Sequence, residues 1–195
     1  MNNFWKTLEV SDKLATLEIN SWHSVLTDPI WTFFSDIPVW FLLYAVIIIF
    51  LCLRLGWKKG LVIVGAALLT FAFCDLTSNL VKTLTARPRP CNDMWMLMSG
   101  LHILEGGGTY GFFSAHAANA FGIATCTWLG FRMDTKRKYR WYAAGMFFWA
   151  FMVSASRIFV GKHYLGDVIV GICVGILAGW AFYRLARIVF KRFFE

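Results

Sequence analysis

Five long apolar stretches, each close to the length of a membrane-spanning helix, make up about half of this chain of 195 residues. They cover residues 37–53, 60–81, 112–131, 141–155 and 165–186 approximately. A helix needs about 20 mainly apolar residues to cross a bilayer, and it pairs its own backbone polar groups. The pattern predicts an all-α polytopic membrane helix bundle with five spanning helices, forming a single domain over residues 1–195.

Residues 1–35 have a different pattern, in which bulky apolar residues such as Trp5, Leu14 and Trp22 alternate with charged ones. This spacing is typical of amphipathic helices that lie in the membrane interface. We therefore expect one or two N-terminal interfacial helices, with a sixth, irregular span as the alternative. The segment lacks the continuous apolar region of a cleavable secretory signal.

The composition agrees with a membrane protein, because 58% of the residues are hydrophobic and only 15% are charged. The formal net charge of +8 would suggest nucleic acid as a partner in a soluble protein. Here the distribution of charge between loops accounts for it, and we expect no nucleic-acid partner. The five cysteines contain no CxxC pair, so we expect neither a structural disulfide nor a cysteine metal site.

Lys and Arg concentrate in three segments that five spans would place on one side of the membrane: 54–59, 132–140 and the residues after 184. Loops rich in Lys and Arg stay in the cytoplasm. The N-terminal segment carries more Asp and Glu than Lys, which fits the opposite side. The ends of the spans opposite these loops, called the outer ends below, are therefore predicted to face away from the cytoplasm.

Three groups of ionisable residues lie at those outer ends: Lys82 to Arg89-Pro90, Ser114-Ala115-His116, and Ser156-Arg157 through His163 to Asp167. Ionisable residues next to a membrane interior are costly and usually functional. Together the groups offer two histidines, a carboxylate and several fixed cations. This set suits phosphoryl transfer on a lipid.

His163 and Asp167 are four residues apart, so on a helix they would share one face. A carboxylate bonded to one imidazole nitrogen leaves the other nitrogen free to act, and Arg157 could hold an anion in front of the ring. The alternative is an ordinary buried His–Asp pair with an arginine that reaches the interface. A metal held by the two histidines and the carboxylate is a further alternative, which the neighbouring cations disfavour.

Ser114, Ala115 and His116 open the third span, where a helix N-terminus would present free N–H groups to an anion. His116 would then be placed to give a proton to a leaving oxygen. At the end of the second span, Lys82 and Arg89 could reach the same site. The alternative is that these side chains only extend from the helix end to the membrane interface.

Asp75, Asn79 and Lys82 line one face of the second span, at i, i+4 and i+7. We expect Asp75 and Asn79 to support and aim Lys82, with a structural hydrogen bond to a neighbouring helix as the alternative.

The three groups together resemble the type 2 phosphatidic acid phosphatase superfamily, membrane lipid phosphatases related to vanadium haloperoxidases. Its signature reads K-x6-RP, PSGH and SR-x5-H-x3-D. The first and third parts are complete in this chain, whereas Phe113 and Ala115 stand where the second part has Pro and Gly. The resemblance covers approximately residues 75–170.

The resemblance implies a role for each matching residue. His163 would attack phosphorus and form a phosphohistidine, Asp167 would orient it, and His116 would protonate the leaving oxygen and then activate water. The phosphate would be held by six residues: Lys82, Arg89, Ser114, Ala115, Ser156 and Arg157. Neither a metal nor another cofactor is expected.

The expected activity is hydrolysis of a phosphate monoester or diphosphate of a lipid in the bacterial inner (cytoplasmic) membrane, with the site facing the periplasm or outside. The resemblance places undecaprenyl diphosphate first, ahead of lipid A and phosphatidylglycerol phosphate. Two alternatives from other classes are a lipid phosphotransferase and a non-catalytic anion carrier. The expected partners are the lipid substrate and the membrane, and the oligomeric state stays open.

Two further features concern packing and access to this site. Gly171, Gly175 and Gly179 recur at four-residue spacing, which predicts a stripe for close helix contact. The loop 91–111 contains three consecutive glycines and is expected to form a flexible lid over the site.

Overall fold

A computed structural model describes residues 3–193 of the chain, and α-helices dominate it. The α-helices are α1 Asn3–Asn20, α2 Asp28–Ser35, α3 Phe41–Leu55, α4 Trp57–Thr85, α5 Met94–Met98, α6 Ala115–Phe131, α7 Arg140–Phe159 and α8 Leu165–Phe193. Two 3-10 turns, Pro38–Trp40 and Pro90–Asn92, precede α3 and α5.

Four segments of the described chain are long and apolar enough to cross a membrane: Pro38–Leu55, Trp57–Thr85, Arg140–Phe159 and Leu165–Phe193. The prediction of an all-α bundle is confirmed, with four candidate spans where the sequence predicts five. The predicted stretch 112–131 contains α6, which has 17 residues. Most residues of α6 are buried, and most of the buried ones have small side chains. The helix packs between α4, α7 and α8 instead of lying at the surface of the bundle.

The centre of the bundle is the contact between α6 and α8. A methyl group on Gly171, Gly175 or Gly179 of α8 would collide with a backbone carbonyl oxygen of α6 or of its N-cap, pairing Gly171 with Ser114, Gly175 with Ala118, and Gly179 with Gly122. Only glycine lets two helix backbones approach this closely. The predicted glycine stripe is therefore confirmed as a packing surface.

The end of the bundle that carries the Lys- and Arg-rich loops is closed by a polar contact between α3 and the turn after α6. The Arg54 guanidinium pairs with Asp134, with 2.9 Å between Nη2 and Oδ2, and Nε donates to the Tyr139 hydroxyl over 2.8 Å. This ion pair joins two segments that are distant in the sequence.

The N-terminal helices close the other end. Asn20 at the end of α1 is buried, and its amide nitrogen donates to the carbonyls of His102, Ile158 and Phe159. Its amide oxygen accepts the His102 N–H over 2.8 Å. This single side chain ties α1 to the loop 91–111 and to the end of α7.

Candidate active site

A cavity of about 550 Å³ lies at the end of the bundle that α1 and α2 close. Residues from all three ionisable groups of the sequence line it: Lys82, Arg89, Ala115, His116, Arg157, Lys162 and His163. Three carboxylates also reach it: Asp36, Asp75 and Glu105. The tertiary structure thus brings the predicted groups to one place.

His163 and Asp167 form a buried pair at the start of α8. The distance between His163 Nδ1 and Asp167 Oδ2 is 3.4 Å, and Oδ2 also accepts the Tyr164 N–H over 3.1 Å. A carboxylate can only accept, so Nδ1 donates the proton and Nε2 keeps its lone pair. The two residues do not share a helix face as the spacing suggested, because His163 precedes α8 and Asp167 lies in its first turn.

Burial lowers the pKa of His163 to about 4, although Asp167 acts to raise it and Arg157 and Arg89 lower it further. The imidazole is therefore neutral at physiological pH, which a nitrogen nucleophile requires. Protonation, and loss of the lone pair, occurs only as the pH falls through that lowered pKa.

Arg157 is buried in α7 and faces the cavity. Its Nη1 donates to the Ser35 hydroxyl of α2, and it lies 3.6 Å from the Glu105 carboxylate. Its Nε is buried and has no hydrogen-bond partner within residues 3–193. A buried guanidinium N–H without a partner is costly, and an oxyanion in the cavity would satisfy it.

The α6 N-terminus opens into the cavity through Ala115 and His116. Ser114 is the N-cap, and its hydroxyl oxygen accepts the Ala117 N–H over 3.4 Å. The Ser114 N–H donates to the Asp167 carbonyl over 3.0 Å, which joins this helix end to the start of α8. The segment therefore forms a capped helix N-terminus although its sequence departs from the family signature.

Lys82 and Arg89 reach the cavity from α4 and from the loop after it. Arg89 donates to the carbonyls of Gly107 and Tyr110 over 3.1 Å and 3.0 Å, and Gly108 packs against its guanidinium. The glycine segment expected to be a lid thus holds Arg89 in place. Its flexibility stays a prediction.

Four predicted site residues lie outside the cavity lining: Ser114, Asp167, Ser156 and Asn79. The buried Ser156 hydroxyl donates to the Val153 carbonyl of its own helix over 2.8 Å, so it faces α7 and not the cavity. Asn79 is exposed and donates to Asp75 over 3.3 Å, without a hydrogen bond to Lys82. Asp75 itself lines the cavity beside Lys82.

The sequence analysis gave no role to two residues that contact the site closely. Arg87 pairs with Asp167 over 2.6 Å, and Asp12 of α1 pairs with the same guanidinium over 2.7 Å. Arg87 could have been found from the sequence, because it lies two residues before the predicted site residue Arg89. Asp12 is distant in sequence, and no pattern in the chain pointed to it.

Within the described part of the chain, the residues whose donor atoms come close enough to hold a metal ion are His23, Asp28 and His102. The two imidazole rings stack in parallel with their centroids 3.6 Å apart, and His102 Nε2 lies 3.0 Å from Asp28 Oδ2. The predicted site residues form no such group.

A comparison with known families decides the assignment. The model of the PAP2 superfamily matches residues 60–191, from α4 to α8. This chain belongs to the PAP2 superfamily. It is a multi-pass membrane lipid phosphatase of a metal-independent phosphomonoesterase family, as the sequence motifs indicated.

Two similar proteins are lipid A 4'-phosphatases. That of Bacteroides thetaiotaomicron is 35% identical over 179 residues, which cover 90% of this chain and 77% of that protein. That of Porphyromonas gingivalis is 32% identical over 184 residues, which cover 91% of this chain and 73% of that protein.

Two solved structures share the fold. Aquifex aeolicus LpxE superposes with a TM-score of 0.66 at 26% identity, covering 87% of this chain and 93% of that one. A PAP2 type phosphatidylglycerolphosphate phosphatase from Bacillus subtilis superposes with a TM-score of 0.73 at 17% identity, covering 97% and 90%.

Proposed function

We propose that this chain hydrolyses the 4'-phosphate monoester of lipid A at the outer face of a bacterial inner membrane, with residues 1–195 forming one phosphatase domain. The observation that carries the proposal is 35% identity to a lipid A 4'-phosphatase over 90% of this chain. The sequence analysis ranked undecaprenyl diphosphate first. The relatives favour its alternative, lipid A, instead.

The shape of the cavity supports a lipid substrate. Ile37, Tyr44 and Phe71 line both the polar cavity and an apolar groove of about 260 Å³ formed by α3, α4 and α6. A phosphate bound among the cations would leave the apolar part of its carrier beside this groove. An amphiphile with an anionic head group and acyl chains fits both environments.

The reaction proceeds in two steps. His163 Nε2 attacks phosphorus, forming the P–N bond as the P–O bond to the sugar breaks. His116, which takes up a proton as the anionic phosphate binds beside it, gives that proton to the leaving oxygen. Water then attacks the phosphohistidine, His116 takes the water proton, and phosphate leaves while the His163 imidazole is restored. Asp167 stabilises the positive charge that His163 carries in between.

The charge on the transferred group is held by fixed donors. Lys82, Arg89 and Arg157 face the phosphate position, and the N-terminus of α6 adds backbone N–H groups. Ser114 is fully buried outside the cavity lining, and it supports this helix end as its N-cap. Ser156 supports the site only through the packing of α7.

A panel of phospholipids tests the substrate. We expect lipid A carrying only the 4'-phosphate to be hydrolysed at least ~10-fold faster, in kcat/KM, than lipid A carrying only the 1-phosphate, undecaprenyl diphosphate or phosphatidylglycerol phosphate. Release of inorganic phosphate with EDTA present is the measurement. A preference for undecaprenyl diphosphate would contradict the proposal and support the order of substrates expected from the sequence. Transfer of phosphate to a second lipid without free phosphate would identify a phosphotransferase.

We also propose that α6 is a fifth span. Five crossings place the loops 54–59 and 132–140 and the C-terminus in the cytoplasm, as their Lys and Arg residues require. The cavity, α1 and α2 then lie at the outer face. The exposed apolar side chains of α1, among them Trp5 and Leu8, would rest in the membrane interface.

Thiol labelling in intact spheroplasts tests this topology. In a chain carrying Cys91→Ser, we expect Gly106→Cys to react with an impermeant maleimide, because a side chain at Gly106 meets open space. Lys136→Cys is exposed as well and serves as the matched position on the cytoplasmic side. It should react only after permeabilisation. Labelling of Lys136→Cys in intact cells would invert the proposed topology.

A further inference from the structure

Arg87 lies against Asp167, on the side away from His163. The Arg87 Nη1 donates to Asp167 Oδ1 over 2.6 Å, and the guanidinium stacks over the Tyr164 ring, 4.1 Å from its centroid. Asp167 is fully buried. The two carboxylate oxygens therefore have separate partners, with Oδ1 taken by Arg87 and Oδ2 left for His163 and the Tyr164 N–H.

Asp12 of α1 holds Arg87 in that position. Its Oδ2 accepts from Arg87 Nη2 over 2.7 Å, and its Oδ1 accepts the Gly166 N–H over 2.7 Å. The neighbouring Thr16 hydroxyl oxygen accepts the Leu165 N–H over 2.9 Å. Side chains of α1 thus cap the first turn of α8, which is the turn that carries Asp167.

We propose that Asp12 and Arg87 are positioning residues for the phosphatase reaction. Asp12 fixes Arg87, and Arg87 fixes the Asp167 carboxylate so that Oδ2 stays directed at His163 Nδ1. Helix α1 lies outside residues 60–191, which match the family, yet it completes the support of the reacting pair. The proposal rests on the roles proposed for His163 and Asp167.

The charges of the two residues give a readout that packing alone would not produce. Arg87 offsets the negative charge of Asp167, so its removal stabilises protonated His163 and raises the pKa of His163. Asp12 offsets Arg87, so its removal has the opposite effect. The other charged or titratable groups around His163 stay unchanged in both variants: Arg157, Arg89, Lys82, Lys162 and His116.

The experiment measures kcat, KM and the pH profile of Arg87→Gln and Asp12→Asn on the most rapidly hydrolysed lipid of the panel. We expect kcat to fall ~10- to 100-fold, by analogy with residues that orient metal ligands, with KM within about threefold. The acid limb of kcat/KM, which reports the free enzyme, should move to higher pH in Arg87→Gln and to lower pH in Asp12→Asn. Arg87→Lys should recover part of the loss.

Arg54→Gln and Asp134→Asn are the matched controls, because they break a similar ion pair at the far end of the bundle. They should leave kcat and the acid limb unchanged. Acid limbs that stay in place, or shift in the same direction, in Arg87→Gln and Asp12→Asn would overturn the proposal.

His163→Gln, measured in parallel, separates this inference from the proposed function. Phosphate release that survives His163→Gln would show that the proposed reaction itself is wrong. Release that is lost there but unchanged in Arg87→Gln and Asp12→Asn overturns only the positioning roles. If Arg87→Gln yields no folded protein, the direction of the acid limb in Asp12→Asn decides alone.

Discussion

His163→Ala is expected to abolish phosphate release, lowering kcat by at least ~10³-fold, because the variant has no group that can form the covalent intermediate. The supporting observation is the buried pair with Asp167, which leaves Nε2 unprotonated toward the cavity. The measurement is phosphate release from lipid A in detergent, divided by the amount of folded enzyme in each sample.

Two variants sharpen this result. His163→Gln preserves much of the side-chain volume and should remain folded, so its loss of turnover would report chemistry and not stability. His23→Ala removes a histidine that lies outside the cavity lining and should stay within about twofold of wild type. Turnover of His163→Ala within a few-fold of wild type would disprove the assignment of His163 as the nucleophile.

The second large effect concerns folding. Gly175→Leu is expected to prevent recovery of folded protein, because even a methyl group at this position would overlap the Ala118 carbonyl of α6. Overpacking of a tight contact costs about 1–3 kcal/mol when neighbours can move, and a backbone carbonyl inside a helix has little freedom to do so. Fluorescence-detected size exclusion and thermal unfolding in detergent measure the outcome.

Gly65→Leu is the matched control within α4. A methyl group at Gly65 would meet no atom within 4 Å, so a side chain there starts in open space. This variant should fold as well as wild type and melt at the same temperature or higher, since leucine favours helix more than glycine does by about 1 kcal/mol. Equal losses in both variants would refute the proposed role of the α6–α8 contact.

The sequence by itself determined the fold class, the family and most of the site. Apolar stretches of spanning length require helices, because a bilayer offers no partner for an unpaired backbone group. The spacing of Lys82, Arg89, Arg157, His163 and Asp167 identified the family without any coordinates. The glycine stripe of α8 predicted its closest packing contact, because small residues at a four-residue spacing lie on one helix face.

Only the tertiary structure decided which side chains face the cavity and what supports them. Ser156 matches the family signature, yet its hydroxyl bonds to its own helix, since the rotation of α7 is set by packing and not by a motif. His163 and Asp167 are four residues apart, but a helix start separates them, and the bond between them depends on how that start is capped. Asp12 reaches Arg87 and α8 across 75 and 154 positions of sequence. Contacts at such separations follow from how helices dock, which local spacing does not encode.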